Sequence, residues 1–167
     1  MTAFHGQMGM FVRALSYMLS HGSDGLKQAT EDAVLNANYV QASLSDDMSP
    51  AFGGICMHEA LFNDDFLKGT GVETLDFAKA MIDEGYHPMT MYFPLVVHGA
   101  MLIEPTESES KAELDRFIDV MKSLAQRAKD GDVESFKAAP IYAPLRRLDE
   151  TKAARKPVLR WREASEE

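Results

Sequence analysis

The chain has 167 residues, of which 46% are apolar and 26% charged, and its formal net charge is −9. This length and balance predict one folded domain, or one domain with an appendage, that buries a core without a metal or disulfide staple. The acidic excess argues against a nucleic-acid partner, because lysine and arginine supply most phosphate binding. The single cysteine, Cys56, cannot form an internal disulfide, which is typical of a reducing compartment.

The first residues do not predict a targeting or membrane segment. Arg13 and Ser16 interrupt the apolar run, which is also too short to span a bilayer. The basic region and the small-residue cleavage site of a signal peptide are both missing. The expected location is therefore the cytoplasm, with no membrane partner.

Two helices are predicted at the start of the chain. The first covers Met8–Ser20 and is interrupted by Gly22 and Gly25, because glycine weakens a helix interior. The second covers Leu26–Leu44, where apolar and small residues recur at three- and four-residue spacing.

The middle of the chain predicts shorter elements, bounded by glycine and proline. They are a strand over Ile55–Phe62, a helix over Leu75–Glu84 that Thr74 begins and Gly85 ends, and extended segments over Tyr86–Val97 and Ala100–Ile103.

The acidic stretch "IEPTESESKAELDRFIDVM" (103–121) raises the question of a metal or catalytic site. Thr106 and Glu109 match the T-x-x-E pattern of a capping box, and the acids that follow suit the positive end of a helix dipole. A hard-cation site would need oxygens converging from separate elements. The stretch is therefore interpreted as the start of a helix over Glu107–Lys129.

The C-terminal part, rich in proline, is expected to wrap over a surface, with a helical turn at Glu150–Arg155. The order of elements favours an α+β sandwich with helices on one face of a short sheet. We expect three parts: a helical lead-in over 1–45, an α+β domain over 46–140, and an extended wrap and tail over 141–167.

No complete active site follows from the residues alone. His58-Glu59 resembles half of the H-E-x-x-H zinc signature, but Phe62 stands where the second histidine is needed. The histidines show no regular ligand spacing, so no metal site is predicted. Cys56 is interpreted as a small buried side chain in a strand, since no adjacent base is evident. No catalytic or cofactor-binding residue is assigned.

Four long stretches together resemble one family. They are "GMFVRALSYMLSHGSDGLKQATEDAVLNANY" (9–39), "CMHEALF" (56–62), "GYHPMTMYFPLVVHGAMLIEPTESESKAELDRFID" (85–119) and "RRLDETKAARKPVLRW" (146–161). They are similar to the C-terminal part of glycine dehydrogenase (decarboxylating), the P-protein of the glycine cleavage system. The ending resembles the second subunit of the two-subunit bacterial form.

The resemblance implies the small C-terminal domain of a pyridoxal-phosphate enzyme of the aspartate-aminotransferase type (fold type I), with a short, mostly antiparallel sheet. Such an enzyme decarboxylates glycine and passes the aminomethyl group to the lipoyl arm of the H-protein, and its partner is the first subunit of the P-protein. The family's cofactor lysine, in "N-L-H-K", and its "G-G-G-G-P-G" segment are missing here. The chain is therefore expected to be inactive alone.

The resemblance also implies two substrate-channel candidates, His87 and Thr90, in the segment "HPMTMYFP" (87–94). A strand held for packing between two prolines is the alternative for that segment. Phe11, Leu15 and Met18 of the leading helix are expected to be exposed, because they would face the large domain. The alternative for the whole chain is a stand-alone, non-catalytic α+β module that binds other proteins.

Overall fold

The computed structural model describes residues 5–161. Its helices are α1 (Met8–Leu44), α2 (Thr74–Asp83), α3 (Lys111–Lys129), α4 (Val133–Ala138) and α5 (Glu150–Arg155), with one 3₁₀ turn at Asp65–Leu67. Its strands are β1 (Ser49–Pro50), β2 (Ala60–Asn63), β3 (Thr90–Met91) and β4 (Met101–Ile103). Within residues 5–161, no helix has the length and apolar character needed to cross a membrane.

Helix α1 consists of two segments that meet at a kink. Gly22 has φ 64° and ψ −174°, outside the helical region, so the predicted interruption is confirmed at this glycine, whereas Gly25 lies inside the second segment. The helix ends at Leu44 as predicted. Only the second segment contributes buried side chains, which are Ala37, Val40 and Leu44.

The four strands form one antiparallel sheet in the order β1-β2-β4-β3. Ala60 and Phe62 of β2, with Met101 and Ile103 of β4, are buried, whereas Leu61 and Leu102 between them are half-buried. Because neighbouring strand residues point to opposite faces, the buried residues share the face that packs against the helices. The expected α+β fold, with helices on one face of a short antiparallel sheet, is confirmed.

The core lies between this sheet face and helices α1, α2 and α3, and α4 closes one end. Its largest fully buried side chains are Phe62, Phe77, Phe136, Leu44, Met81, Met101, Met121, Leu124 and Val40. The second segment of α1 and the sheet therefore share one core. The three predicted parts, 1–45, 46–140 and 141–167, remain a prediction.

The predicted strand over Ile55–Phe62 is wrong in its first half, since β2 begins at Ala60. Asn38 on α1 takes the place of a strand partner for Cys56: its Nδ2 donates to the Cys56 carbonyl at 2.7 Å, and its Oδ1 accepts from the Cys56 N–H at 3.0 Å. Cys56 is half-buried and lies outside any strand.

The predicted extended segment Tyr86–Val97 is likewise mostly turn. Only Thr90–Met91 forms a strand, and Tyr92 then adopts φ 62°, in the left-handed region, which turns the chain out of the ladder. The Val97 N–H donates to the Pro94 carbonyl at 3.0 Å within the turn that follows. The apolar residues of this segment predicted an extended chain, but a local backbone turn interrupts it.

The predicted starts of helices α3 and α2 are both displaced. Helix α3 begins at Lys111 with Ser110 as its N-cap, whose hydroxyl accepts from the Glu113 N–H at 3.3 Å. Thr106 has φ 60° and its hydroxyl lies 2.8 Å from that of Ser108, so the Thr106–Glu109 capping box is wrong. The stretch holds a second match, S-x-x-E at 110–113, and that one begins the helix.

Helix α2 begins at Thr74, one residue before the predicted Leu75, and its N-cap is Glu73 instead of Thr74. Glu73 and Asp76 form a reciprocal capping box, in which the Asp76 carboxylate accepts from the Glu73 N–H at 3.0 Å. Thr74 was predicted to begin this helix as its cap. Its hydroxyl instead donates to the Gly99 carbonyl at 3.0 Å. It thereby joins α2 to the turn before β4.

Asp76 also ties the C-terminal part to α2. Its side chain is only 3% exposed and forms ion pairs with Lys137 and Arg147, the latter at 2.7 Å. Arg147 further donates to the carbonyls of Phe136 and Ala139, both at 2.8 Å. These contacts hold Arg147 against α2 and α4, and the predicted wrapping of the C-terminal part over a surface remains a prediction.

We expect Ser110→Ala to lower the free energy of unfolding by about 1 kcal/mol, because the first turn of α3 loses its side-chain acceptor. Thr106→Ala is the matched control and should change it by less than about 0.5 kcal/mol. Urea denaturation followed by circular dichroism measures both. If Thr106→Ala lowered the free energy of unfolding more than Ser110→Ala, the capping role would belong to Thr106 and not to Ser110.

Asp76→Ala should lower the free energy of unfolding by about 3 kcal/mol, because Lys137 and Arg147 lose a buried partner and the α2 cap is lost. Asp119→Ala, at an exposed carboxylate on α3, is the control and should cost under about 0.5 kcal/mol. Equal midpoints for the two variants in urea would contradict this role.

The same carboxylate predicts a pH dependence. Burial alone would raise the pKa of Asp76, but hydrogen bonds from Lys137, Glu73 and Arg147 outweigh it, so the pKa is lowered. Its stabilisation is complete above the ordinary carboxyl pKa of about 3.9 and is lost as the pH falls through the lower folded value. The stability gap between the wild type and Asp76→Asn should therefore be constant from pH 7 to 5 and shrink below about pH 4. A gap that stays constant down to pH 3 would refute this assignment.

Candidate functional site

His87 and Thr90, the two channel candidates, line one groove of about 580 Å³. Its walls are the segment 86–90, the residues that follow β4, and the first two turns of α3. Both side chains are exposed. The antiparallel register pairs Thr90 with Leu102, which brings the segment beside β4 and so beside Glu104.

The base of this groove is apolar and well packed. Ile103 and Leu114 line it and are buried, and Tyr86 packs against Phe117 edge to face with ring centroids 5.5 Å apart. These contacts fix the segment that carries His87 to α3. The groove is therefore a formed feature of the domain surface.

The imidazole of His87 is oriented by a local hydrogen bond. Nδ1 lies 2.9 Å from the Pro88 carbonyl oxygen. Because a carbonyl oxygen only accepts, Nδ1 carries a proton, and in the neutral ring Nε2 is left as an acceptor. The Thr90 hydroxyl can donate or accept, so the two together offer a small polar ligand both kinds of contact.

The charge of the groove is acidic. Glu104, Glu109 and Glu113 line it, and none of its lining residues is lysine or arginine. These carboxylate acceptors suit an ammonium group and repel a phosphate, for which the groove offers no cationic side chain. The lining of this groove therefore does not fit the phosphate of pyridoxal phosphate.

A second groove, of about 300 Å³, adjoins the first and shares Glu104 and Thr106 with it. Tyr17 of α1 donates to Glu107 Oε1 at 3.0 Å across this groove. The hydrogen bond to Glu107 raises the pKa of Tyr17, and the pKa of Glu107 is lowered by its own backbone N–H and by Tyr17. His58 also lines it, close to Glu104.

A third groove, of about 550 Å³, lies on the sheet face opposite the core. It is lined mainly by apolar side chains, among them Phe52, Ile55, Leu61, Phe93 and Leu102. Ile55 is 93% exposed and Phe93 is 58% exposed. Residues 5–161 leave this apolar face uncovered.

The reactive side chains expected to be inert show no activating environment. Burial raises the pKa of the Cys56 thiol, which is the opposite of what a thiolate nucleophile needs. All lysines fall within the described residues, and none of them lines any of the three grooves. Sequence reasoning missed the approach of His58 to Glu104. The pairing of β2 with β4 brings these two residues together, so a correct prediction of that pairing could have found it.

Residues 5–161 thus form a small α+β domain with polar grooves on one edge and no assembled nucleophile, base or cofactor lysine. Residues 29–145 match the family model described as glycine dehydrogenase, C-terminal domain. The chain belongs to this family, as its sequence resemblance indicated.

Curated relatives agree with this assignment. A protein of Caulobacter vibrioides named "Probable glycine dehydrogenase (decarboxylating) subunit 2" is 76% identical over 163 residues, which are 97% of this chain and 31% of the relative. Proteins of the same name from Kosmotoga olearia and Fervidobacterium nodosum are 49% and 48% identical, over 95% and 96% of this chain and 33% and 34% of theirs. The chain spans about one third of these relatives.

The predicted exposure of the leading helix is confirmed. Phe11, Leu15 and Met18 are 55%, 52% and 47% exposed, and Leu19 beside them is 75% exposed. A continuous apolar face of this kind is expected to seek a partner surface.

We therefore expect the isolated chain to self-associate as its concentration rises. Sedimentation velocity should show this association, and Leu15→Glu should reduce it by placing a charge on the face. Leu35→Glu, at a single exposed leucine further along α1, is the matched control. A chain that remains monomeric at several hundred micromolar would argue against the apolar face as a contact surface.

Proposed function

We propose that this chain is the small-domain part of a glycine cleavage P-protein of the two-subunit kind. The observation that carries the proposal is the alignment of nearly all of the chain with one third of the subunit 2 proteins, in a region whose family model is the C-terminal domain. The complete enzyme would decarboxylate glycine with pyridoxal phosphate and transfer the aminomethyl group to the lipoyl arm of the H-protein. It would work in the cytoplasm with the first subunit as partner.

In this proposal the cofactor's lysine and phosphate contacts come from outside these 167 residues. The electron sink is supplied by the cofactor, and the surrounding protein supplies binding and orientation. The acidic groove next to His87 supports such a division of labour, because its lining offers carboxylates to an amine and no lysine or arginine to a phosphate.

His87 and Thr90 are proposed to line the channel through which glycine or the aminomethyl-lipoyl arm passes. Both ligands carry an amino group. His87 Nε2, the Thr90 hydroxyl and the Glu104 carboxylate would accept hydrogen bonds from it, and the apolar base would exclude water. Closure of the small domain over the substrate would bring these groups into contact with it.

The first experiment separates an incomplete enzyme from an independent one. The purified chain is mixed with pyridoxal phosphate, and its visible absorption is recorded before and after glycine is added. No band that responds to glycine is the expected result. A specific band that shifts with glycine would overturn the assignment as a part, because a lysine of this chain would then hold the cofactor.

The second experiment tests the proposed activity directly. This chain replaces the corresponding third of the Caulobacter vibrioides relative, and the chimera is assayed with its partner subunit and lipoylated H-protein for glycine-dependent release of CO₂. Activity close to that of the parent is expected. An inactive but folded chimera would favour the alternative, a module that binds other proteins.

Within an active chimera, His87→Ala and Thr90→Val should each lower kcat/KM for glycine about tenfold, which corresponds to about 1.4 kcal/mol of lost transition-state binding. His98→Ala is the matched control, since its ring is 89% exposed and pairs with Asp64 away from the groove. Unchanged kinetics in both groove variants would assign the segment to packing alone.

A further inference from the structure

Three potential metal ligands meet where β2 begins and β4 ends. The register pairs Ala60 with Ile103, so the preceding Glu59 lies opposite the following Glu104. His58 Nε2 is 3.6 Å from Glu59 Oε1 and 3.8 Å from Glu104 Oε1. One ligand atom from each of the three side chains lies within 4.8 Å of the other two.

The two carboxylates are otherwise uncompensated. Like charges directly opposite each other on antiparallel strands destabilise the pairing. Among residues 5–161, the ion pairs of Glu59 and Glu104 involve His58 only, with no lysine or arginine within 4.0 Å. A cation held between them would relieve this repulsion, and the imidazole nitrogen is already placed as its third ligand.

The distances suit a small transition-metal ion. Ligands bound tetrahedrally to zinc at about 2.0–2.2 Å are separated by roughly 3.4 Å from one another. The two separations that involve His58 need to shorten by a few tenths of an ångström. The two carboxylate oxygens, which lie within 4.8 Å of each other, can approach through rotations of side chains that are 39–54% exposed. The imidazole nitrogen favours zinc over calcium and magnesium, which prefer oxygen ligands alone.

We propose that His58, Glu59 and Glu104 form a binding site for one divalent transition-metal ion of the zinc class. Three protein ligands leave the fourth coordination position open to water or to a ligand in the neighbouring grooves. Glu104 lines both of these grooves, so a bound ion would lie at their shared edge. The site stands on these three residues and does not depend on the proposed function.

The test titrates the purified full chain with ZnCl₂ by isothermal calorimetry in a non-chelating buffer. One ion per chain is expected, and His58→Ala and Glu104→Gln should each weaken binding at least tenfold. His98→Ala is the matched control, because His98 pairs with a single carboxylate, Asp64, and has no third ligand. Circular dichroism confirms that each variant is folded.

Cobalt gives an independent readout of the ligand set. Co²⁺ bound at this site should show weak visible bands and no thiolate charge-transfer band, in the wild type and in Cys56→Ser alike. No zinc binding at 1 mM would overturn the proposal. So would equal affinity in the wild type and His58→Ala, or loss of binding in Cys56→Ser, since the ligands would then lie elsewhere.

Discussion

One buried carboxylate, Asp76, connects the beginning of α2 to Lys137 and Arg147, which follow α3 in the chain. A charge with 3% of its side chain exposed is tolerated only when it is paired and hydrogen-bonded. Asp76 satisfies this condition with the Glu73 N–H, Lys137 and Arg147. Because Arg147 also binds two carbonyls near α4, the C-terminal part is held by directional contacts, whereas few apolar residues after Ala139 are buried.

The same molecule leaves large apolar surfaces uncovered. The first segment of α1, the outer sheet face around Ile55 and the chain beyond Tyr142 together hold most of its exposed large hydrophobic side chains. Apolar faces of this extent mark contact surfaces rather than ordinary exposure. Such surfaces are consistent with membership of a family described as a C-terminal domain. A domain that packs against another domain exposes its apolar contact face when it is considered alone.

Glu104 is the residue around which the polar features are arranged. It follows β4 directly, so the strand pairing that builds the core also sets its position beside His58 and Glu59. It lines the groove that contains His87 and the groove that contains Tyr17. The pairing of β4 thus positions Glu104, and the two grooves that share it have no lysine or arginine in their lining.

The sequence by itself determined the elements whose cause is local. The spacing of apolar residues over Leu26–Leu44, the kink at Gly22 and the helical turn at Glu150–Arg155 each depend on neighbours along the chain, and all were predicted. The family was also recoverable, because long ordered motifs carry it. The channel candidates His87 and Thr90 came from that resemblance alone, and their function is still a proposal.

Only the tertiary structure decided where distant groups satisfy one another. Cys56 lies outside the predicted strand because the Asn38 side chain, eighteen residues earlier, forms hydrogen bonds with both its backbone N–H and its carbonyl. Helix α3 begins at Lys111, after the N-cap Ser110, and not at the predicted Glu107, because two overlapping capping patterns compete and the chain turns at Thr106. The meeting of His58 with Glu104 needs a strand register, which short strands do not specify without the packed core that selects one face.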